Sequence, residues 1–250
     1  MIVLITGASS GFGAAMARKF VAGGHRVIAA ARRTEKLASL QQELGAALLP
    51  LTMDVTDKAS ITQGLAALPA AWQPIDVLIN NAGLALGTDP APQTSLADWA
   101  TMIATNVTGL VTLTHLLLPE MVARNSGMII NIGSVAGSTP YPGGNVYGAT
   151  KAFVGQFTQN LRADLAGTGV RATNIAPGRC GGSEFWQVRM RDEEKAAKAL
   201  EGTQPLMSED IAETAYWIAT LPAHVNINYI EMMPTCQGFG PLNIKRNLPA

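Results

Sequence analysis

The sequence predicts an α/β fold: a single-domain, Rossmann-type, doubly wound parallel sheet of about seven strands with helices on both faces. Short apolar segments rich in Val and Ile alternate with amphipathic segments along the whole 250-residue chain. Strands that are apolar at nearly every position are buried on both faces, which is typical of a parallel sheet covered by helices. Alternation of strand and helix throughout favours the doubly wound arrangement. Because no linker or repeat interrupts the pattern, we predict one domain over residues 1–250.

Each element follows from its own stretch of this pattern. The β-branched and apolar runs predict strands at 2–5, 27–31, 48–53, 75–79, 128–132, 170–175 and 228–232. The amphipathic runs between them predict helices at 13–22, 34–44, 58–68, 97–123, 147–165 and 208–220. Two segments are expected to be irregular, one over about 177–195 and one forming the tail 237–250. Ligands of such sheets bind beyond the carboxyl ends of the strands, so the loops at that edge are the functional candidates.

Composition and charge exclude several classes of protein. The chain is 48% hydrophobic and 14% charged, which is enough to build a core and excludes a disordered protein. Eighteen basic residues balance eighteen acidic ones, so no overall field attracts nucleic acid or an anionic membrane. The apolar stretch 110–122 is too short to span a bilayer, and we expect a soluble protein. The two cysteines are too few for a disulfide framework, so we expect a reducing, cytoplasmic setting. The three histidines are scattered along the chain, so we expect no metal site.

A glycine-rich turn follows the first strand and opens the first helix. It reads Thr6-Gly7-Ala8-Ser9-Ser10-Gly11-Phe12-Gly13. Gly7 permits the tight turn, Gly11 lets the backbone approach a pyrophosphate, and Gly13 allows close packing of the helix on the strand. An ordinary βα turn is the alternative, but the strand before it and the helix after it favour a dinucleotide site at the helix N-terminus.

The spacing TGxxxGxG resembles the short-chain dehydrogenase/reductase family, and the resemblance covers essentially the whole chain. Further motifs at the strand ends match the family. The resemblance implies that Asp54 and Val55 contact the adenine, that the NNAG motif contributes cofactor contacts, and that a Pro-Gly pair lies beside the nicotinamide. The residues of the last two motifs are Asn81, Ala82, Gly83, Pro177 and Gly178.

The end of the second strand predicts NADP(H) rather than NAD(H). An NAD site usually has an acidic residue about 20 residues after the glycine turn, where it binds the ribose 2′-hydroxyl. Here that position is Ala31, and Arg32 and Arg33 follow it. Guanidinium groups match a 2′-phosphate, and Ser9 and Ser10 would add hydroxyl contacts. The alternative is a solvated basic pair at the end of a strand.

Tyr147 and Lys151 form a YxxxK pair, which places both side chains on one face of a helix. A free tyrosine has a pKa of about 10, and a nearby ammonium favours the phenolate, so we expect Lys151 to lower the pKa of Tyr147. Such a tyrosine serves as an acid–base catalyst.

The family resemblance supplies the other catalytic roles. By that resemblance Tyr147 exchanges a proton with the substrate oxygen, and Lys151 bonds the nicotinamide ribose. Ser134 holds the substrate oxygen, as an oxyanion donor would. Asn106 positions a water for proton relay; its alternative is a hydrogen bond to the local backbone.

The substrate is expected to be a short anionic aldehyde or its alcohol. The chain resembles the branch of bacterial 3-hydroxy acid dehydrogenases and malonic semialdehyde reductases, and the related sulfoacetaldehyde reductases. Arg179 departs from the first group, and an extra guanidinium suits a sulfonate, so reduction of sulfoacetaldehyde to isethionate is the first hypothesis. The alternative is a dehydrogenase of the serine or L-allo-threonine type, with Arg179 facing solvent or pairing with Glu184. Tyr141 and Arg189 are the other substrate candidates. A more remote alternative is an NADP(H)-binding sensor without turnover.

The same resemblance implies a homotetramer that pairs the helices predicted at 97–123 and 147–165. Small residues Gly148, Ala149, Ala152 and Gly155 would permit close helix contact. The apolar segment 239–244 of the tail is expected to dock on a neighbouring subunit or to border its active site.

Overall fold

A computed structural model describes residues 1–239 of the chain. Within these residues one sheet has seven strands, all parallel, in the order β3-β2-β1-β4-β5-β6-β7. The strands are β1 Ile2–Thr6, β2 Arg26–Ala31, β3 Leu48–Thr52, β4 Val77–Asn80, β5 Gly127–Ile132, β6 Val170–Pro177 and β7 Tyr229–Met232. This confirms the predicted fold class. Most of the predicted tail, including nearly all of 239–244, lies outside the described residues.

Helices cover the two faces of the sheet. They are α1 Gly11–Ala22, α2 Thr34–Leu44, α3 Lys58–Ala66, α4 Leu96–Ile103, α5 Leu110–Ala123, α6 Asn145–Asp164, α7 Phe185–Met190, α8 Glu193–Lys198 and α9 Ser208–Thr220. Successive side chains of a strand point to opposite faces, so β1 sends Val3 and Ile5 to one core and Ile2 and Leu4 to the other. The first core includes α1 and α9, and the second includes α3, α5 and α6. All five residues of β1 are buried, as its continuous apolar pattern predicts.

The helix predicted at 97–123 is one helical stretch, Leu96–Ala123, with a different winding in its middle. Residues Ala104–Gly109 form a π-helix between α4 and α5. Single π-turns inside α-helices are frequent at functional sites, and this one carries Asn106. By length and composition these 28 residues could cross a membrane. In the fold they cover the sheet, with Leu113, Leu117 and Met121 buried in the second core.

The segment 177–195 is more regular than predicted. It contains the short helix α7 and the first residues of a second short helix, α8. Asp192 is the N-cap of α8, and its carboxylate accepts a hydrogen bond from the backbone N–H of Lys195. Short helices with caps of this kind carry too little apolar periodicity to be recognised from sequence. We call residues 178–198 the lid, because they cover the cavity described next.

Candidate active site

A cavity of about 390 Å³ lies beyond the carboxyl ends of the strands, under the lid. Its walls come from the glycine-rich turn, from the ends of β2 to β6 and from the lid. Most residues predicted for the site line this one cavity: Gly7, Ser9, Ser10, Gly11, Phe12, Arg32, Arg33, Asp54, Val55, Asn81, Ala82, Gly83, Ser134, Tyr147, Lys151, Pro177 and Gly178. Gly13, Asn106, Tyr141, Arg179 and Arg189 are not among its lining residues.

The glycine-rich turn has the backbone that the motif requires. Gly7 and Gly11 have φ of 65° and 50°, the left-handed region that favours glycine. A Cβ on Gly13 would lie 2.3 Å from the carbonyl oxygen of Gly7, so only glycine permits this packing of α1 on β1. Asn81 holds the turn from the end of β4, because its Nδ2 donates to the carbonyl oxygen of Thr6 at 2.8 Å. The turn therefore presents an open, rigid cradle that fits a phosphate group.

Asp54 and Val55, at the end of β3, form the wall next to the turn. The Asp54 carboxylate accepts hydrogen bonds from the backbone N–H and the hydroxyl of Thr56, at 2.9 and 2.8 Å. Burial opposes ionisation, but these two bonds and the charge of Arg32 hold the pKa of Asp54 below its usual value. The carboxylate is thus fixed in the wall where the resemblance expects an adenine contact.

The predicted 2′-phosphate site contains a group that the sequence did not reveal. Arg33 donates from Nη2 to the hydroxyls of Ser9 and Ser10, at 3.0 and 2.7 Å. Its Nη1 forms an ion pair at 2.7 Å with Glu184, which belongs to the lid. Arg32 is exposed at the rim of the same cavity. The cations, the two serines and the glycine turn together fit a dinucleotide that carries an additional phosphate.

Tyr147 and Lys151 lie together at the other end of the cavity, both buried. The Nζ of Lys151 lies 5.9 Å from the centroid of the Tyr147 ring and donates to the carbonyl oxygen of Ile132 at 2.7 Å. Ser134 begins the short turn after β5, where its Oγ accepts from the N–H of Ala136 at 3.1 Å. The strand ends and α6 thus bring the predicted base, ammonium and hydroxyl to one wall.

The protonation of this pair differs from our expectation. Burial raises the pKa of Tyr147 to about 12, although hydrogen bonding to Ser134 and the charge of Arg189 act in the opposite direction. Burial also lowers the pKa of Lys151 to about 8. The pKa of Tyr147 in the protein alone is therefore raised rather than lowered, because removal from water disfavours the charged forms of both residues. In this state Tyr147 keeps its proton near neutral pH and is a proton donor.

Asn106 bonds to a distant loop rather than to its own helix. Its side chain accepts from the N–H of Leu84 and donates to the carbonyl oxygen of Leu84, both at 2.9 Å, and donates to the hydroxyl of Thr150 at 3.1 Å. A Cβ on Gly83 would lie 3.3 Å from Asn106 Oδ1 and 3.4 Å from Lys151 Nζ. Asn106 therefore joins the π-helix, the loop after β4 and α6 close to Lys151.

Among the substrate candidates, the structure brings Arg189 and Tyr141 to Tyr147. The Arg189 side chain is 6% exposed, and its guanidinium carbon lies 5.6 Å from the Tyr147 ring and 5.4 Å from the Tyr141 ring. Arg179 instead lies over the ring of Trp186, with 5.4 Å to its centroid. The expected pair between Arg179 and Glu184 is absent from the ion pairs of residues 1–239, where Glu184 binds Arg33 and Lys36.

Three buried asparagines support the site from below, and the sequence analysis did not single them out as a set. Asn80, Asn131 and Asn174 lie side by side on β4, β5 and β6. Asn80 donates to Asn131 at 2.8 Å, and Asn131 donates to the hydroxyl of Thr158 on α6 at 2.9 Å. Hydrogen bonds between buried side chains fix the relative position of the elements that carry them, although the Oδ1 atoms of Asn80 and Asn174 have no partner among the described residues. Here they hold the ends of β4 and β5 against the helix that carries Tyr147.

Comparison with known proteins decides the family. A family model described as short chain dehydrogenase matches residues 1–194. The chain belongs to the short-chain dehydrogenase family. This confirms the predicted resemblance. An NADP-dependent 3-hydroxy acid dehydrogenase of Salmonella typhi is 58% identical to this chain, and the match covers 99% of this chain and 100% of that protein. A serine 3-dehydrogenase of Agrobacterium fabrum is 50% identical, with 98% of each chain covered.

A solved structure is similar to this chain over its whole length. It is the closed form of a serine dehydrogenase complexed with NADP⁺, at a TM-score of 0.98 and 56% identity, covering 99% of this chain and all of that one. A serine dehydrogenase of Escherichia coli has a TM-score of 0.86 and 53% identity, with 96% and 100% covered. As a short-chain dehydrogenase with relatives this similar, the protein is an oxidoreductase that acts on hydroxyl groups and their carbonyl products.

Proposed function

We propose that the protein interconverts a small 3-hydroxy acid and its 3-oxo acid with NADP(H). The cofactor prediction is confirmed, since relatives that match the whole chain at more than half identity are NADP-dependent. When bound, NADP(H) accepts or supplies the hydride. The substrate assignment follows the alternative of the sequence analysis rather than its first hypothesis, because these relatives are 3-hydroxy acid and serine dehydrogenases.

The observation that carries the proposal is the buried guanidinium of Arg189 beside Tyr147. Within residues 1–239 its hydrogen bonds are long ones to carbonyl oxygens, 3.3 Å to Gly87 and 3.4 Å to Gly143, and it forms no ion pair. A buried arginine is costly unless an anion pairs with it. A substrate carboxylate would fill that role through two parallel hydrogen bonds. In a 3-hydroxy acid the carboxylate lies two bonds from the carbinol carbon, which would then face Tyr147.

The other residues take roles that suit this placement. Tyr147 donates its proton to the carbonyl oxygen in reduction and removes it from the hydroxyl in oxidation. Ser134 donates a hydrogen bond to the same oxygen. Lys151 holds positive charge beside the Tyr147 ring, and Asn106 fixes the loop and the helix that position Lys151.

The sulfonate hypothesis loses the residue on which it depended. Arg179 lies over the ring of Trp186, whereas the guanidinium next to the Tyr147 ring is that of Arg189, so the extra guanidinium of Arg179 is not the one beside the predicted acid–base residue. The sensor hypothesis is disfavoured by the close approach of Lys151 to Tyr147 in the wall of the cavity.

The test is a substrate comparison with the purified protein and NADP⁺. Serine, L-allo-threonine and 3-hydroxypropionate should be oxidised, and isethionate should have a kcat/KM at least about tenfold lower than the best of them, since each 1.4 kcal/mol of lost binding is a factor of ten. NAD⁺ serves as the cofactor control. Faster oxidation of isethionate than of every 3-hydroxy acid would contradict the proposal.

We also propose that the protein is a homotetramer in the cytoplasm. The assembly is supported by an exposed stripe of small and apolar residues on α6, formed by Ala149, Ala152 and Phe153. The Phe153 ring is stacked on that of Phe157. Light scattering after size exclusion should give four times the 26.2 kDa chain mass. Phe153→Glu should shift the mass to dimer or monomer, and an unchanged tetramer would exclude this face as the interface.

A further inference from the structure

The side chain of Arg189 is held only weakly by its own contacts. Its guanidinium makes two long hydrogen bonds, at 3.3 Å to the carbonyl oxygen of Gly87 and 3.4 Å to that of Gly143. The helix that carries it, α7, has six residues, and a helix this short has little stability of its own in water. The direction of the Arg189 side chain therefore depends on whatever fixes the backbone at the end of α7.

Two contacts fix this end of α7 to the body of the fold. The backbone N–H of Gly87, in the loop after β4, donates to the carbonyl oxygen of Arg189 at 2.9 Å. Arg191 follows the last residue of α7, and its Nη2 forms an ion pair at 2.7 Å with the carboxylate of Asp98 on α4. The ion pair thus acts two residues away from the guanidinium that we place on the substrate carboxylate.

The backbone at Arg191 shows that this position is determined by its surroundings. Arg191 has φ of 52° and ψ of 28°, in the left-handed region that favours glycine. A larger residue remains in that region only where neighbouring contacts hold it there. The Arg191 side chain is 58% exposed and that of Asp98 is 20% exposed, so the carboxylate is the more fixed of the two partners.

Asp98 is carried by a helix that packs against the catalytic tyrosine. Met102 of α4 is buried in a small apolar cluster together with Tyr147. Asp98 lies in the first turn of α4, where the helix dipole favours a negative charge. Asp98 and Arg191 therefore connect the segment of Arg189 to the same packed unit that holds Tyr147.

We propose that Asp98 and Arg191 are positioning residues, whose ion pair sets the place of Arg189 relative to Tyr147 and so selects acids with the hydroxyl on the third carbon. This inference rests on the proposed function, in which Arg189 binds the substrate carboxylate. The carboxylate and the carbinol carbon of such an acid have a fixed separation, so a binding group at a fixed distance from Tyr147 favours that length over a longer acid.

Removing the charge of Asp98 tests the proposal with the whole enzyme and NADP⁺. In Asp98→Asn, kcat/KM for 3-hydroxypropionate should fall about fivefold, mainly through a higher KM, which corresponds to about 1 kcal/mol for a partly exposed ion pair. The neutral 3-hydroxypropionamide should change by less than about twofold, because it has no charge for Arg189 to bind. Asp98→Glu keeps the carboxylate and should retain at least about half of the wild-type kcat/KM.

Glu194→Gln is the matched control for Asp98→Asn. It removes the carboxylate of another ion pair of the lid, that of Glu194 with Lys198 at 2.6 Å, but both partners of that pair lie on α8. Since this pair does not join the lid to the body of the fold, kcat and KM for 3-hydroxypropionate should stay at wild-type values.

Arg191→Asn separates positioning from folding. Asparagine adopts the left-handed region more readily than arginine, so the melting temperature should not fall. The kcat/KM for 3-hydroxypropionate should still fall about fivefold, and Asp98→Asn combined with Arg191→Asn should be no worse than either change alone, because one interaction is lost in all three. In each variant kcat/KM for 4-hydroxybutyrate should fall less than that for 3-hydroxypropionate, because a loosely held Arg189 follows the longer acid.

Wild-type kinetics of both single variants, additive losses in the double variant, or equal losses for the acid and the amide would each overturn the proposal. Arg189→Leu distinguishes this failure from failure of the proposed function. If Arg189→Leu lowers kcat/KM for 3-hydroxypropionate and Asp98→Asn does not, the carboxylate site stands and the positioning role is wrong. If Arg189→Leu leaves the acid unaffected, the proposed carboxylate site is itself wrong.

Discussion

Replacing Tyr147 by phenylalanine should lower kcat about a thousandfold, while the Kd for NADP⁺ stays within about twofold of the wild type. The ring would remain packed against Phe185 and only the hydroxyl would be lost. That hydroxyl is the one group on this wall that is both protonated near neutral pH and beside Lys151 and Ser134. The decrease should appear in kcat rather than in KM, because proton transfer occurs in the transition state.

Tyr141→Phe is the matched control for this variant. Tyr141 also lies next to Arg189 but is exposed and outside the lining of the cavity. Its loss should cost less than about tenfold, since it offers at most a hydrogen bond near the substrate. A Tyr147→Phe enzyme with wild-type turnover would exclude Tyr147 as the acid–base catalyst and would favour the sensor hypothesis.

Replacing Arg189 by leucine should lower kcat/KM for a 3-hydroxy acid about a hundredfold. Truncating one partner of a buried charge pair costs about 2–5 kcal/mol, and each 1.4 kcal/mol is a factor of ten. Arg189→Lys should keep part of the activity, because an ammonium retains the charge but not the planar, two-pronged donation. The measurement is steady-state oxidation of 3-hydroxypropionate.

Two comparisons separate carboxylate binding from damage to the lid. The neutral amide 3-hydroxypropionamide should be a poor substrate whose kcat/KM changes less than about fivefold in Arg189→Leu, since it carries no charge to bind. Arg179→Leu removes the same type of side chain from the same lid and should leave both substrates nearly unaffected. If Arg179→Leu caused the larger loss for the acid, the anion would bind at Arg179 and the present assignment would be wrong.

Features that depend on local pattern were predictable from the sequence. The continuous apolar strands determine a parallel sheet, and Gly7, Gly11 and Gly13 are required by backbone geometry within one turn. Tyr147 and Lys151 lie on one face of the helix because residues four positions apart always do. These features hold whatever the rest of the chain does.

Features that depend on side-chain direction across long separations were not predictable. Arg179 and Arg189 lie on one segment, and only the fold shows that Arg189 reaches Tyr147 while Arg179 lies on Trp186. The contact of Glu184 with Arg33 joins residues that are 151 positions apart, and no periodic pattern in the sequence indicates it. The raised pKa of Tyr147 likewise depends on burial, which no motif measures.

The order of the strands in the sheet reverses between β1 and β4, while all strands stay parallel. This point divides the chain into two halves that could be exchanged between relatives. Residues from β1 to β3 choose the nucleotide, whereas those from β4 to β6 and the lid choose the reaction. A chimaera joined after β3 should combine the cofactor preference of one parent with the chemistry of another. Two contacts cross this division, since Asn81 of the second half holds the glycine-rich turn and Glu184 of the second half contacts Arg33. Recombination at this junction would therefore have to carry residues 81 and 184 along with the nucleotide half to keep the two compatible.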